Sequence, residues 1–182
     1  MKILLLLLFP FNLFATDYYF STSGNDANAG TSSGSPYQTI TKANTLTLAA
    51  GDRLLFNGGQ TFSGNLLITN SGSDGSRITV TSYGSGMATI NGSNGDCIKV
   101  LNAEYVTVNY MALIGSGIDT TALGATSSRG CGVKFQSTAT TGDRLRGAVV
   151  TNCVISDIRT GILIAASTGT FPQTAWRGDR KS

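Results

Sequence analysis

Three short segments of this chain share one shape. Cys97-Ile98-Lys99-Val100, Gly132-Val133-Lys134-Phe135 and Gly161-Ile162-Leu163-Ile164 each place apolar residues at their second and fourth positions, and their starts lie 35 and 29 residues apart. A second register runs beside the first: Val106, Val108, Met111 and Leu113 fall on Ala148, Val150, Cys153 and Ile155 at a constant offset of 42. Period-two alternation marks strands with one face toward a core. Recurrence over some tens of residues marks stacked repeats, which a sandwich of antiparallel hairpins would not need. In a parallel coil, equivalent inward residues lie about 4.8 Å apart, so Ile98, Val133 and Ile162 form one apolar ladder. Each rung contributes about 1.5–3 kcal/mol on burial.

The rest of the chain fits strands better than helices. From Gly51 onward, short runs such as RLLFN, RITVTSY, CIKVLN and GVKFQ alternate with Gly, Asn, Ser and Asp. Gly 23, Thr 24, Ser 19 and Asn 12 make up 78 of 182 residues, while only 13% are charged. That composition disfavours long helices. The exception is Ser35-Pro36-Tyr37-Gln38, which reads as a capping box with proline at the first helical position and predicts a short helix from about Pro36 to Leu46. Ile40, Ala43, Leu46 and Thr47 would give it one weakly apolar face, suited to covering the open edge of the first winding. The expected organisation is 1–15 signal, 16–50 cap, 51–167 coils and 168–182 irregular tail.

Several function classes are excluded at this level. There is no His, so imidazole bases and His-ligated zinc are absent. The 13 basic residues are scattered and the net charge is +3, which gives no footprint for nucleic acid. Lys2, the apolar stretch Ile3 to Phe14 and Ala15 read as an export signal. The stretch is short of the roughly 20 apolar residues of a membrane span. A secreted location is therefore expected, with no membrane span. Cys97, Cys131 and Cys153 are odd in number and sit in or beside apolar runs, so free, buried thiols are expected rather than a disulfide framework.

The segments SGNDANAGTSSGSPYQTI, AAGDRLLFNGGQTFSG, SGSDGSRITVTSYG and ATINGSNG, in that order and spacing, resemble the amino-terminal region of pectate-lyase-like right-handed parallel β-helix proteins. The resemblance runs from about Tyr18 to Ala166 and is most similar to secreted bacterial polysaccharide lyases of family nine and related uncharacterised β-helix proteins. It implies an all-β fold: a right-handed parallel β-helix, or solenoid, with a short N-terminal capping α-helix. It also implies an acidic, uronate-containing polysaccharide as partner. β-Elimination by a Lys or Arg base would be assisted by calcium held among Asp carboxylates, in a full-length protein expected to be a monomer. No segment carries several Asp on stacked coils, so no catalytic residue and no metal ligand is transferred, and calcium is expected only of the full-length protein.

The residues offer weaker candidates of their own. Lys99 and Lys134 occupy the same outward position on consecutive coils, where they could hold a uronate carboxylate. Their mutual repulsion, on the order of 1 kcal/mol, is equally tolerable to a solvated surface. Arg159, with Asp143, Arg144, Arg146 and Asp157, marks one rim as a third substrate-binding candidate, although turn chemistry explains the group as well. Asp26 to Gly30 alternates oxygen ligands like a calcium loop but lacks the closing bidentate acid, leaving an Asx-turn as the plainer reading. Tyr18, Tyr19, Tyr37 and Trp176 could stack on sugar rings or pack the cap.

The coil pattern stops at Ser167, and the remaining residues carry no alternation and no evident terminal cap. The chain is therefore expected to be an amino-terminal portion of a longer solenoid, poorly stable alone and lacking a complete active site. The leading expectation is part of a secreted polysaccharide lyase. The alternatives are a non-catalytic glycan-binding surface solenoid and, last, a glycoside hydrolase, which needs two carboxylates in a chain whose one glutamate is Glu104.

Overall fold

Alternating apolar residues place one side of each strand inward, and the backbone finds its partners one winding away rather than in the next strand along the chain. The computed structural model describes residues 15–93, 95–115, 130–138, 145–158 and 160–166. The first sheet runs β1 (Asp17–Phe20), β2 (Arg53–Asn57), β5 (Ile78–Tyr83), β8 (Val106–Asn109) and β11 (Val149–Thr151). The second runs β3 (Thr61–Ser63), β6 (Ala88–Ser93), β9 (Met111–Gly115) and β12 (Val154–Ser156). The third runs β4 (Leu66–Ile68), β7 (Ile98–Leu101), β10 (Cys131–Ser137) and β13 (Thr160–Ala166).

From β2 onward the chain visits the first, second and third sheets in turn and then repeats the cycle. Every strand ladder among the described residues is parallel. Both sequence registers are present: Ile98 pairs with Val133 and Val133 with Ile162, while Val108 pairs with Val150 and Leu113 with Ile155.

The inward residues stack as columns. Leu66, Ile98 and Val133 are fully buried in the third sheet, as are Leu54, Val80 and Val108 in the first. Close to β1 the core turns aromatic. Phe20 stacks on Phe56 at 4.7 Å and 19°, and Phe62 meets Phe56 edge-on at 5.0 Å. Among the described residues β13 is the outermost strand of its sheet: Ile162 and Ile164 are 41% and 53% exposed, although they pair with the buried Val133 and Phe135.

Corners between the first and second sheets need a left-handed residue. Tyr110 (φ 52°) and Asn152 (φ 51°) fill that role one winding apart, which explains their alignment in the 42-residue register. Asn152 also donates from Nδ2 to Asn109 Oδ1 at 3.0 Å.

The helix differs from expectation. It is the single turn α1 (Ile40–Ala43), not Pro36 to Leu46, and its N-cap is Thr39, whose hydroxyl accepts from the Lys42 N–H at 3.1 Å. Tyr37 is unavailable to a helix because its N–H donates to Tyr19 O and its carbonyl accepts from Ser21 N, bridging it to the strand of Phe20. Its ring also fills the space where Gly30 (φ 70°) would carry a Cβ. After α1, the Asn44 side chain donates to Asn65 O and accepts from Leu67 N, pairing with the free edge of β4.

Candidate functional site

The outward face of the third sheet carries the column Leu67, Lys99, Lys134 and Leu163, each paired with the next across the ladder. The strand period puts Lys99 and Lys134 outward because Ile98, Val100, Val133 and Phe135 face the core. The structure therefore brings these two sequence candidates together. Leu67, 40% exposed, flanks them on the β4 side.

Their charges are unequally placed. Lys134 Nζ lies 3.7 Å from Asp96 Oδ2, while Asp96 Oδ1 accepts from the Cys131 N–H at 2.8 Å. Counting Asp96, the group carries one net positive charge rather than two. Asp96 escapes sequence reading because it sits in the turn before β7, outside the alternating pattern; its stacking under Cys131 follows only once the 35-residue register is accepted. Gln136, the next outward position on β10, has a buried Oε1 with no hydrogen-bond donor among the described residues.

Arg159, Asp143 and Arg144 lie outside the described residues, as does Trp176. Of that proposed rim, Arg146 Nε stands 3.9 Å from Glu104 Oε1, and Asp157 occupies a left-handed corner at φ 53°.

Other described carboxylates are engaged in holding the fold, Asp17 and Asp26 among them. Asp17 and Arg53 form a two-pronged pair on adjacent strands. Asp26 Oδ1 accepts from the Gln38 and Thr39 amides at 2.8 and 2.9 Å, and its Oδ2 from the Thr39 hydroxyl at 2.6 Å. Both oxygens face donors, a poor arrangement for calcium; Asn25, with Oδ1 accepting from Ala27 N, makes the Asx-turn. Among the described residues no group of three or more His, Cys, Asp or Glu could hold a metal ion.

Partial burial works to raise the Asp26 carboxyl, but the hydrogen bonds from Thr39 and Gln38, together with the Lys42 charge, outweigh it and lower the group. A carboxyl lowered by folding stabilises the folded state above its unfolded value and loses that contribution as pH falls through the folded value. The cap loop should therefore loosen below about pH 4, and Asp26→Asn should remove this part of the acid response. Melting temperatures of both proteins as a function of pH test this; parallel curves would count against it.

The cysteines are free, with Cys97 and Cys131 buried and Cys153 half-buried. Burial first, and the neighbouring Asp96 carboxylate second, push the Cys131 thiol up to about 11, so it stays protonated and unreactive at neutral pH. Burial raises Cys97 and Cys153 as well.

No family model matches the chain, and no curated protein matches it. Two crystal structures of the GH136 lacto-N-biosidase from Eubacterium ramulus, a selenomethionine derivative and the native protein, share its fold. Their TM-scores are 0.70 and 0.69 at 21% and 20% identity, over 84% of this chain and 31% of theirs. A rhamnogalacturonan lyase aligns over 84% of this chain and 62% of its own, at 15% identity and a TM-score of 0.41. The chain thus spans about a third of the biosidase's length, and the likeness is one of fold. No helix among the described residues is long and apolar enough to cross a membrane.

Proposed function

We propose that this chain is the amino-terminal part of a secreted, carbohydrate-active right-handed parallel β-helix protein whose third-sheet face engages an acidic polysaccharide. The observation that carries this reading is the juxtaposition of Lys99 and Lys134 on adjacent windings, with one net positive charge after Asp96. A uronate carboxylate between two ammonium groups gains charge-assisted hydrogen bonds, and Leu67 offers apolar area to a sugar face. Export is supported by Lys2, the apolar stretch Ile3 to Phe14 and Ala15.

Most of the carboxylates in the described windings are tied to structural donors or cations, so the bond-breaking chemistry is assigned to windings beyond them. β-Elimination on a uronate polymer is the first reading, with any calcium held outside the described residues. Glycoside hydrolysis is the second, favoured by the fold shared with the biosidase. Product analysis of the full-length protein separates the two: an unsaturated product with its ultraviolet absorbance marks elimination, and a saturated reducing end marks hydrolysis.

Binding tests the face directly. In a titration with oligogalacturonate, Lys99→Ala combined with Lys134→Ala should weaken binding by roughly tenfold, and added salt should weaken the unaltered chain in the same direction. Unchanged affinity in the double variant would remove this face from the proposal.

A further inference from the structure

The second sheet presents a different chemistry from the third. Its edge strand β3 turns Phe62 into the core and leaves Thr61 and Ser63 outward and exposed. Thr22, Gln38 and Thr39 of the cap face them across a cleft of about 320 Å³, with Ile40 and Phe62 supplying its apolar lining. That volume lies at the small end of ligand pockets, which run from about 300 to 1,000 Å³.

The walls are fixed to one another by the protein's own hydrogen bonds. Gln60 Oε1 accepts from the Thr22 N–H at 2.8 Å and from the Ser21 hydroxyl at 3.2 Å. Gln38 Nε2 donates to Thr22 O at 3.2 Å, while Asp26 holds the Gln38 amide and the Thr39 hydroxyl from behind. The hydroxyls of Thr22, Thr61 and Ser63 have no partner among the described residues. A rigid wall with free hydroxyls loses little entropy when a ligand is ordered against it.

Among the described residues no Asp, Glu, Lys or Arg lines the cleft. The ladder carries the same character onward, because Thr61 pairs with Thr89 and Ser63 with Asn91, both uncharged. With the Asp26 carboxylate behind the wall already taken up by the Gln38 and Thr39 donors, a charged ligand would find no free counter-charge among the lining residues, and a purely apolar one would strip water from hydroxyls without replacing its hydrogen bonds. An uncharged polyol with an apolar ring face satisfies both conditions.

We propose that this cleft is a binding site for an uncharged saccharide, separate from the lysine pair on the third sheet. The carbohydrate class rests on the function proposed above; the neutrality of the ligand rests on the cleft itself.

The test titrates the full chain with neutral oligosaccharides of the β-1,4-glucan, β-1,4-xylan and lactose series, and in parallel with oligogalacturonate, at low and high salt. At least one neutral series should bind with little salt dependence. Thr61→Val combined with Ser63→Ala should weaken that binding by about tenfold, the loss of two neutral hydrogen bonds, and leave oligogalacturonate binding unchanged. Ser63→Trp, which fills the cleft from an exposed position, should abolish it. Both sites of substitution are exposed, and unchanged melting temperatures confirm folding. No binding by any neutral series, or unaltered binding in both variants, overturns the proposal. Loss of oligogalacturonate binding alone bears only on the lysine face.

Discussion

Ile98→Ala is expected to destabilise the folded chain by about 2–5 kcal/mol, the usual cost of a cavity at a fully buried aliphatic site. Ile98 is fully buried between Leu66 and Val133, so its removal empties one rung with neighbours on both sides. Ile162→Ala, in the same column but 41% exposed, should cost less, since a substantial part of the residue already meets water. Denaturant midpoints for the two variants measure the contrast. Equal losses would mean that burial does not set the contribution of each rung of the column.

Asp52→Ala is the second large effect, about 3 kcal/mol. Asp52 is 2% exposed; its Oδ1 accepts from the Thr16 N–H at 2.7 Å and its Oδ2 from the Ala49 N–H at 2.8 Å. Its carbonyl accepts from Thr79 N, so the residue joins the segment before β1, the turn before β2 and strand β5. Alanine leaves two amides without an acceptor, whereas Asp52→Asn keeps one side-chain oxygen and should lose about half as much. Thermal melts of the two variants decide it, and a neutral alanine variant would contradict the role given to this carboxylate.

Legibility in the sequence followed the physics of each feature. The ladders could be read because inward residues must be apolar in every winding, so Ile98, Val133 and Ile162 repeat without reference to their loops. The outward neighbours Lys99 and Lys134 came with that register. Helix length could not be read, because Ser35 to Gln38 has good local helix chemistry and is overruled by the backbone bridge from Tyr37 to the strand of Phe20. Asp96, in the turn before β7, carries no periodic signal. The neutral cleft is assembled from residues near 22, 38 and 61, whose nearness depends on how the cap loop folds back rather than on any repeat.

Burial along the described ladders is uneven: Ile162 and Ile164 of β13 are partly exposed, whereas Val80 and Val108 are fully buried. In a stack where each winding touches only its neighbours, local stability is a sum of adjoining interfaces, and a layer held from one side has half the contacts of a layer held from two. Backbone amides of β13 should thus exchange with solvent before those of β5 and β8, whose strands have a ladder partner on each side and whose inward residues are fully buried.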